Sequence, residues 1–205
     1  MTGMGTIEFV TIEVADTTVA EAFYSAAFEV DGTVRVRASQ APTTGFRGFT
    51  MSLVVSQPAT VNSLIDSARE AGATVLKAAA RSLWGYGGVV QAPDGTIWTV
   101  ASSSKKDTGA ATRQIDAIVL QLGVTDVAAG KRFYLERGLT VAKSYGSRYV
   151  EFDTGAVKLT LNKRRALAKT AGVSPEGTGS HRLLIAGDAG AFTDPDGFVW
   201  EAPRG

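Results

Sequence analysis

The sequence predicts an α+β protein made by repetition, and three observations carry that prediction. A Pro-Asp-Gly turn leading into a Trp-containing strand occurs twice, as Ala92-Pro93-Asp94-Gly95-Thr96-Ile97-Trp98-Thr99 and as Asp194-Pro195-Asp196-Gly197-Phe198-Val199-Trp200-Glu201. Proline presets φ at the first corner of such a turn and glycine takes the positive-φ position, so each copy forces a reversal before a run of β-formers. An Asp followed seven residues later by Phe-Tyr also occurs twice, Asp16 before Phe23-Tyr24 and Asp126 before Phe133-Tyr134. Around these marks, period-2 strand patterns and amphipathic helix patterns restart in the second half.

Residues 7–14 alternate, with Val10, Ile12 and Val14 on one face and Phe9, Thr11 and Glu13 on the other. Asp16 or Thr17 caps a helix whose apolar stripe is Val19, Ala22, Phe23, Ala26 and Phe28. Strands are expected at 33–37 and 49–55, separated by a loop over 40–47. A second helix starts at Pro58, uses Val61, Leu64, Ile65 and Ala68, and closes at Gly72. Residues 74–78, 88–91 and 97–101 read as strands.

Ser102 to Gly109 is polar and aperiodic and reads as a linker. The pattern then restarts with Ile118, Leu120, Leu122 and Val124, Asp126, a helix ending near Gly138, and strands at 140–143, 148–152 and 156–161. The basic segment 162–169 follows, with Lys163-Arg164-Arg165 reading as a solvated helix face. A strand is expected at 181–185. The first unit of the first half lacks room for a full set of strands, and no helix fits between Ile185 and Phe192.

The 205 residues allow a sizeable core, and the composition is that of a globular protein: 44% apolar, 20% charged, formal charge +1. That balance offers no electrostatic footprint for nucleic acid and no apolar run of membrane-spanning length, so neither partner is expected. There is no cysteine, which removes disulfides, thiolate metal ligands and thiol nucleophiles, and a single histidine, His181. A cytoplasmic location is the expectation.

Strand, Asp, Phe-Tyr helix, strands and a closing Asp-Pro-Asp-Gly-x-x-Trp-Glu, with Trp84-Gly85 ahead of the first turn, together resemble the vicinal oxygen chelate superfamily of glyoxalase I, bleomycin- and fosfomycin-resistance proteins and extradiol dioxygenases. The resemblance implies tandem glyoxalase-like domains built from βαβββ modules with cup-shaped mixed sheets, some modules here truncated. The domains would span 1–104 and 113–205, joined by a linker at 105–112. In metal-using members, ligands sit on the first and last strands of a module. Those positions fall on Val119, Lys158, His181 and Glu201 in the second half and on Phe9, Thr50 and Thr99 in the first.

A divalent catalytic metal ordinarily takes three or more protein donors, and His181 and Glu201 supply two. Lys158 puts a cation where an anionic ligand belongs, and it can pair with Glu201 across the cup in place of the metal's charge. No cofactor is therefore expected, and a divalent metal held by His181 and Glu201 is the alternative. His181 is either a hydrogen-bonded structural group or a cup-facing catalyst, and Glu201 either a cup-facing carboxylate or an exposed strand end. Thr11, Glu13 and Gln121 either line a cup of apolar walls with a few oriented polar groups or meet solvent on an open sheet.

Trp84, Tyr86, Trp98, Tyr145, Tyr149 and Trp200 offer stacking surfaces. The symmetric placement of Trp98 and Trp200 assigns them to the core, which leaves Trp84 and Tyr86 as ligand candidates. The candidate ligand-binding set is thus Thr11, Glu13, Trp84, Tyr86, Gln121, Lys158, His181 and Glu201. The expected function is metal-independent binding of a small organic ligand, of the sequestration or antibiotic-resistance type. The alternative is a divalent-metal lyase, isomerase or dioxygenase with His181 and Glu201 as catalytic residues. With both halves on one chain, a monomer suffices and a homodimer is not required.

Overall fold

Two aspartates decide where the first helix of each half begins. In the computed structural model, which describes residues 5–203, strand β1 (Ile7–Val14) gives way to Asp16, whose carboxylate accepts from the Val19 amide and opens helix α1 (Thr17–Ala27). In the second half, strand β8 (Ala117–Val124) leads to Asp126, which accepts from the Ala128 and Ala129 amides at the start of α3 (Val127–Glu136). Each cap satisfies amides that the first helical turn leaves without partners and is worth about 1 kcal/mol.

Between them lie β2 (Val34–Ala38), β3 (Thr43–Gly45), β4 (Phe49–Val54), α2 (Pro58–Glu70), β5 (Thr74–Ser82), β6 (Gly85–Gln91) and β7 (Ile97–Ser102). After α3 come β9 (Thr140–Tyr145), β10 (Tyr149–Asp153), β11 (Val157–Lys163), α4 (Arg164–Ala171), β12 (Gly177–Gly179), β13 (Leu183–Gly187), β14 (Phe192–Thr193) and β15 (Val199–Glu201). Both expected truncations are present: a three-residue strand separates β2 from β4, and a turn without a helix joins β13 to β14. Both reversals close as expected, with Gly95 donating to the Ala92 carbonyl and Gly197 to that of Asp194 at φ near +90°.

Three local expectations need correction. The buried stripe of α1 is Ala20, Phe23, Tyr24 and Ala27, while Val19 is 55% exposed. Alanines give no direction to a stripe; the Phe23 and Tyr24 rings claim the core, and the helical spacing through them passes Ala20 and Ala27. The strands expected at 74–78 and 88–91 are arms of one longer hairpin, turning at Leu83-Trp84. The strand expected from His181 begins at Leu183, because Arg182 adopts φ +53° and donates through its guanidinium to the Ser39 and Ala41 carbonyls.

Five strands form one sheet in the order β14-β15-β13-β1-β2, and eight form another in the order β5-β6-β7-β4-β8-β11-β10-β9. β1 pairs antiparallel with β13, and β4 antiparallel with β8. The first and last units of the chain therefore share the smaller sheet, and the two middle units share the larger. The main core joins the inner faces of both sheets to α1, α2 and α3, through Val10, Ile12, Met51, Leu53, Leu120, Leu122, Trp98 and Trp200 among others. Helices and turns pair within each half: Tyr24 of α1 donates to Asp94, and Tyr134 of α3 donates to Asp194.

A smaller second core forms on the opposite face of the larger sheet, where α4 sets Leu167, Ala168 and Ala171 against Phe46, Val89 and Ile97. Gly123 permits this approach, since a Cβ there would lie 3.0 Å from the Arg164 Cα. Lys77 Nζ fastens the far end of α4 by donating to the carbonyls of Lys169 and Thr170 at 2.9 and 2.6 Å. The expected solvated face is thus only one side of α4. Residues 107–110 are tied to the start of α2 by Gln57, whose side chain bonds Thr108, Gly109 and Ala110, and by Asp107, which accepts from the Ala59 amide. No helix among the described residues is long and apolar enough to cross a membrane.

Candidate functional site

Strand alternation turns the same apolar sets inward on both sheets and leaves each with a second face carrying polar residues. On the eight-stranded sheet that face holds Thr50 and Ser52 of β4, Thr99 of β7, Val119 and Gln121 of β8, and Lys158 and Thr160 of β11. Thr99, Ser52, Val119 and Lys158 are consecutive partners in one row across β7, β4, β8 and β11. One register step along, Thr50 faces Gln121 and donates to its Oε1 at 2.9 Å.

This pairing sorts the positions that the resemblance singled out. Thr50, Thr99, Val119 and Lys158 converge on the eight-stranded sheet, whereas Phe9 and Glu201 belong to the five-stranded one and His181 lies in the loop that leads into its strand β13. The set Val119–Lys158–His181–Glu201, read from one sequence half, is split between the sheets. Two hydroxyls, a valine and an ammonium do not fit a divalent metal, and among the described residues no group of three or more His, Asp or Glu side chains is placed to hold one.

His181 is held in the interior of a loop junction. Its Nδ1 lies 2.5 Å from the Arg47 carbonyl and its Nε2 3.0 Å from that of Asp196, and its ring stacks on Phe198 at 4.0 Å. Both ring nitrogens face backbone carbonyls, so neither is turned towards a substrate or a metal. His181 is bonded to Asp196 in the closing turn, whereas Glu201 ends β15 beside Ala186 and is engaged by Arg37. The expected His181–Glu201 metal or catalytic pair is not assembled.

The expected Lys158–Glu201 ion pair is also absent, because its members lie on different sheets. Lys158 is exposed on β11. Glu201 accepts both arms of the Arg37 guanidinium at 3.0 Å, and that carboxylate holds the guanidinium above its ordinary range. Thr11 and Glu13 share this face of the smaller sheet, where Arg35 lies 3.5 Å over the Phe9 ring. Thr11 is buried and Glu13 half-buried.

A cavity of ≈ 430 Å³ opens on the larger sheet, and Trp84, Tyr86 and Gln121 all border it. Its floor is made by small residues, Gly87, Ala101, Ser52 and Thr99, which is why space remains there. Trp84, at the hairpin turn, is 88% exposed, as is Leu83. Tyr86 is turned the other way: its ring packs against the main core and its hydroxyl donates to Asn62 of α2, so its expected stacking role is not met. The hydroxyls of Ser52 and Thr99 and the Nε2 of Gln121 have no hydrogen-bond partner among the described residues. Ser52 escaped the sequence reading, although the alternation Phe-Thr-Met-Ser-Leu-Val in β4 already sets Thr50 and Ser52 on the face away from the core.

A second cavity, ≈ 320 Å³, lies between Phe46, Ile97, Val173 and Glu176. Its cation, Arg47, is committed to the Thr96 hydroxyl and the Asp94 carbonyl, and burial lowers its pKa. The larger cavity is the better candidate because its polar groups are unspent.

No family model matches the sequence, and no curated protein is similar to it in sequence. Solved structures are similar in fold. Glyoxalase I from Zea mays superposes with a TM-score of 0.61 at 13% identity, covering 96% of this chain and 91% of the maize chain. Its V278E variant gives 0.62 at 14% identity over the same shares. Similarity at that level of identity speaks to architecture, and with the module order, the paired sheets and the two closing turns it shows that this chain has the glyoxalase fold.

Proposed function

We propose that the protein binds a small organic molecule without a metal ion, in the cavity on the eight-stranded sheet bounded by Ser52, Gly87, Thr99, Ala101 and Gln121, with Trp84 at its mouth. One observation carries this reading: the strand positions that hold metal ligands in the resembling family converge on this sheet as Thr50, Thr99, Val119 and Lys158, and a cavity stays open at one end of their row, bordered by Thr99, its partner Ser52 and Gln121. Small floor residues, three unspent polar groups and an aromatic rim suit recognition of an organic ligand. Sequestration, as in the resistance-type members of the resembling family, is the activity that asks least of such a site. The chain supplies both middle modules itself, so binding requires no second subunit.

The test is a thermal-shift screen of antibiotics and metabolites against the intact chain and its Ala101→Phe variant. The added ring lies over Gly87, the cross-strand partner of Ala101, and fills the cavity. Ligands that raise the melting temperature of the parent and not of the variant are expected. A screen with no such ligand, or hits that the variant retains, would count against the site.

A further inference from the structure

We infer that the ligand presents an acceptor oxygen, a carbonyl or a carboxylate, to a donor set made by Ser52, Thr99 and Gln121. The inference rests on the cavity being a ligand site and adds the chemistry of what enters it. Ser52 and Thr99 are direct partners on β4 and β7, so their hydroxyls arise about 5 Å apart on the same face. Gln121 stands on the other neighbour of β4, one register step from Ser52. The three groups border one cavity from three adjacent strands.

Gln121 gives the set its direction. Thr50, fully buried, donates its hydroxyl to Gln121 Oε1, which occupies the acceptor end of the amide. The end left over is Nε2, with two N–H donors and no partner among the described residues. A hydroxyl donates or accepts as the ligand requires, but an amide nitrogen only donates. The charged residues bordering the cavity are Lys77 and Arg81, and no carboxylate is among its lining residues. Lys77 is spent on the carbonyls that end α4. A ligand carrying only donors would leave the Gln121 amide unpaired and meet no anion. A ligand with a carbonyl or carboxylate oxygen satisfies Nε2 and both hydroxyls together.

Hydrogen-bond donors thus stand in the sheet region where the resembling family places ligands to a metal.

Three planar probes separate the possibilities: 2-naphthoate, 2-naphthamide and 2-naphthylmethylammonium share one ring system and differ in the group presented. Isothermal titration of the intact chain is expected to give tighter binding for the first two than for the ammonium, by about tenfold or more. Gln121→Glu keeps an oxygen for Thr50 and replaces the amide donor by an anion, so naphthoate binding should fall by at least that factor. Ser52→Ala with Thr99→Val removes both hydroxyls at nearly constant volume and should weaken naphthoate and naphthamide. Equal binding of all three probes, abolished by Ala101→Phe, would overturn the donor assignment and leave the cavity reading standing. Binding that Ala101→Phe does not alter would remove the cavity reading and this inference together. Melting curves of each variant verify that it is folded before its titration is read.

Discussion

Removing the hydroxyl of Tyr134 should destabilise the protein far more than removing that of its twin Tyr24, and the excess should depend on pH. Tyr134 is fully buried; its hydroxyl donates to Asp194 Oδ2 at 2.7 Å and accepts from Trp200 Nε1 at 3.2 Å. Asp194 is 5% exposed and takes two further bonds, from the Asp196 and Phe198 amides. Tyr134→Phe therefore strips one charge-assisted bond from a buried carboxylate, about 1.5–3 kcal/mol, and leaves the indole N–H without a partner, about 1 kcal/mol more. A total of about 2.5–4 kcal/mol at neutral pH follows. Tyr24 donates to Asp94 at 2.5 Å, but Asp94 is only half-buried and Trp98 Nε1 has no partner to lose, so Tyr24→Phe should cost about 1 kcal/mol.

The pH dependence follows from Asp194. Burial raises its pKa above the ordinary carboxylate range, and the Tyr134 bond opposes that rise. A carboxyl group that binds its proton more tightly when folded contributes stability in full below its unfolded pKa, about 3.9, and loses that contribution as pH rises through the folded value. Deleting the hydroxyl raises the folded value further and enlarges the loss. The Tyr134→Phe deficit should accordingly be greatest at pH 7 and shrink as pH falls towards 4. Urea unfolding of both variants at the two pH values measures this. Equal costs for the twins, or a Tyr134→Phe deficit that does not change with pH, would refute the reasoning.

Other consequences are simpler. Glu201→Gln removes a partly exposed ion pair with Arg37, so the unfolding free energy should change by about 1 kcal/mol or less, and ligands of the larger sheet should bind as before. Gln57→Leu should cost about 1–2 kcal/mol and speed tryptic cleavage at Lys105 and Lys106, because the side chain that bonds residues 108–110 is lost. Leu167→Ala empties the centre of the second core and should cost about 2–3 kcal/mol, measured by urea unfolding.

Local marks in the sequence located the elements well. Asp16 and Asp126 cap their helices, the Pro-Asp-Gly turns close as reversals, and Trp98 and Trp200 are core residues, because caps, turns and alternation act over a few residues. Which units share a sheet is not written locally. The apolar faces of β1 and β8 would serve equally well in either pairing, and only the assembled core decides that β1 meets β13 and β4 meets β8. That choice separated His181 from Lys158 and brought Thr99 to Ser52. The packing role of α4 was hidden for a different reason: Lys163-Arg164-Arg165 dominates its composition, while the face that packs needs only Leu167 and two alanines. Arg164 itself is turned inward, donating to the carbonyls of Phe46 and Pro175.

Metal dependence of binding tests the central claim most directly. Protein purified without chelator is analysed for bound metal, and 2-naphthoate is then titrated into matched samples treated with EDTA or supplemented with zinc, nickel, manganese or iron(II). The account predicts no stoichiometric metal and one dissociation constant in all samples, weakened by Gln121→Glu. One firmly bound ion per chain, with binding that disappears on chelation and returns with the metal, would contradict it.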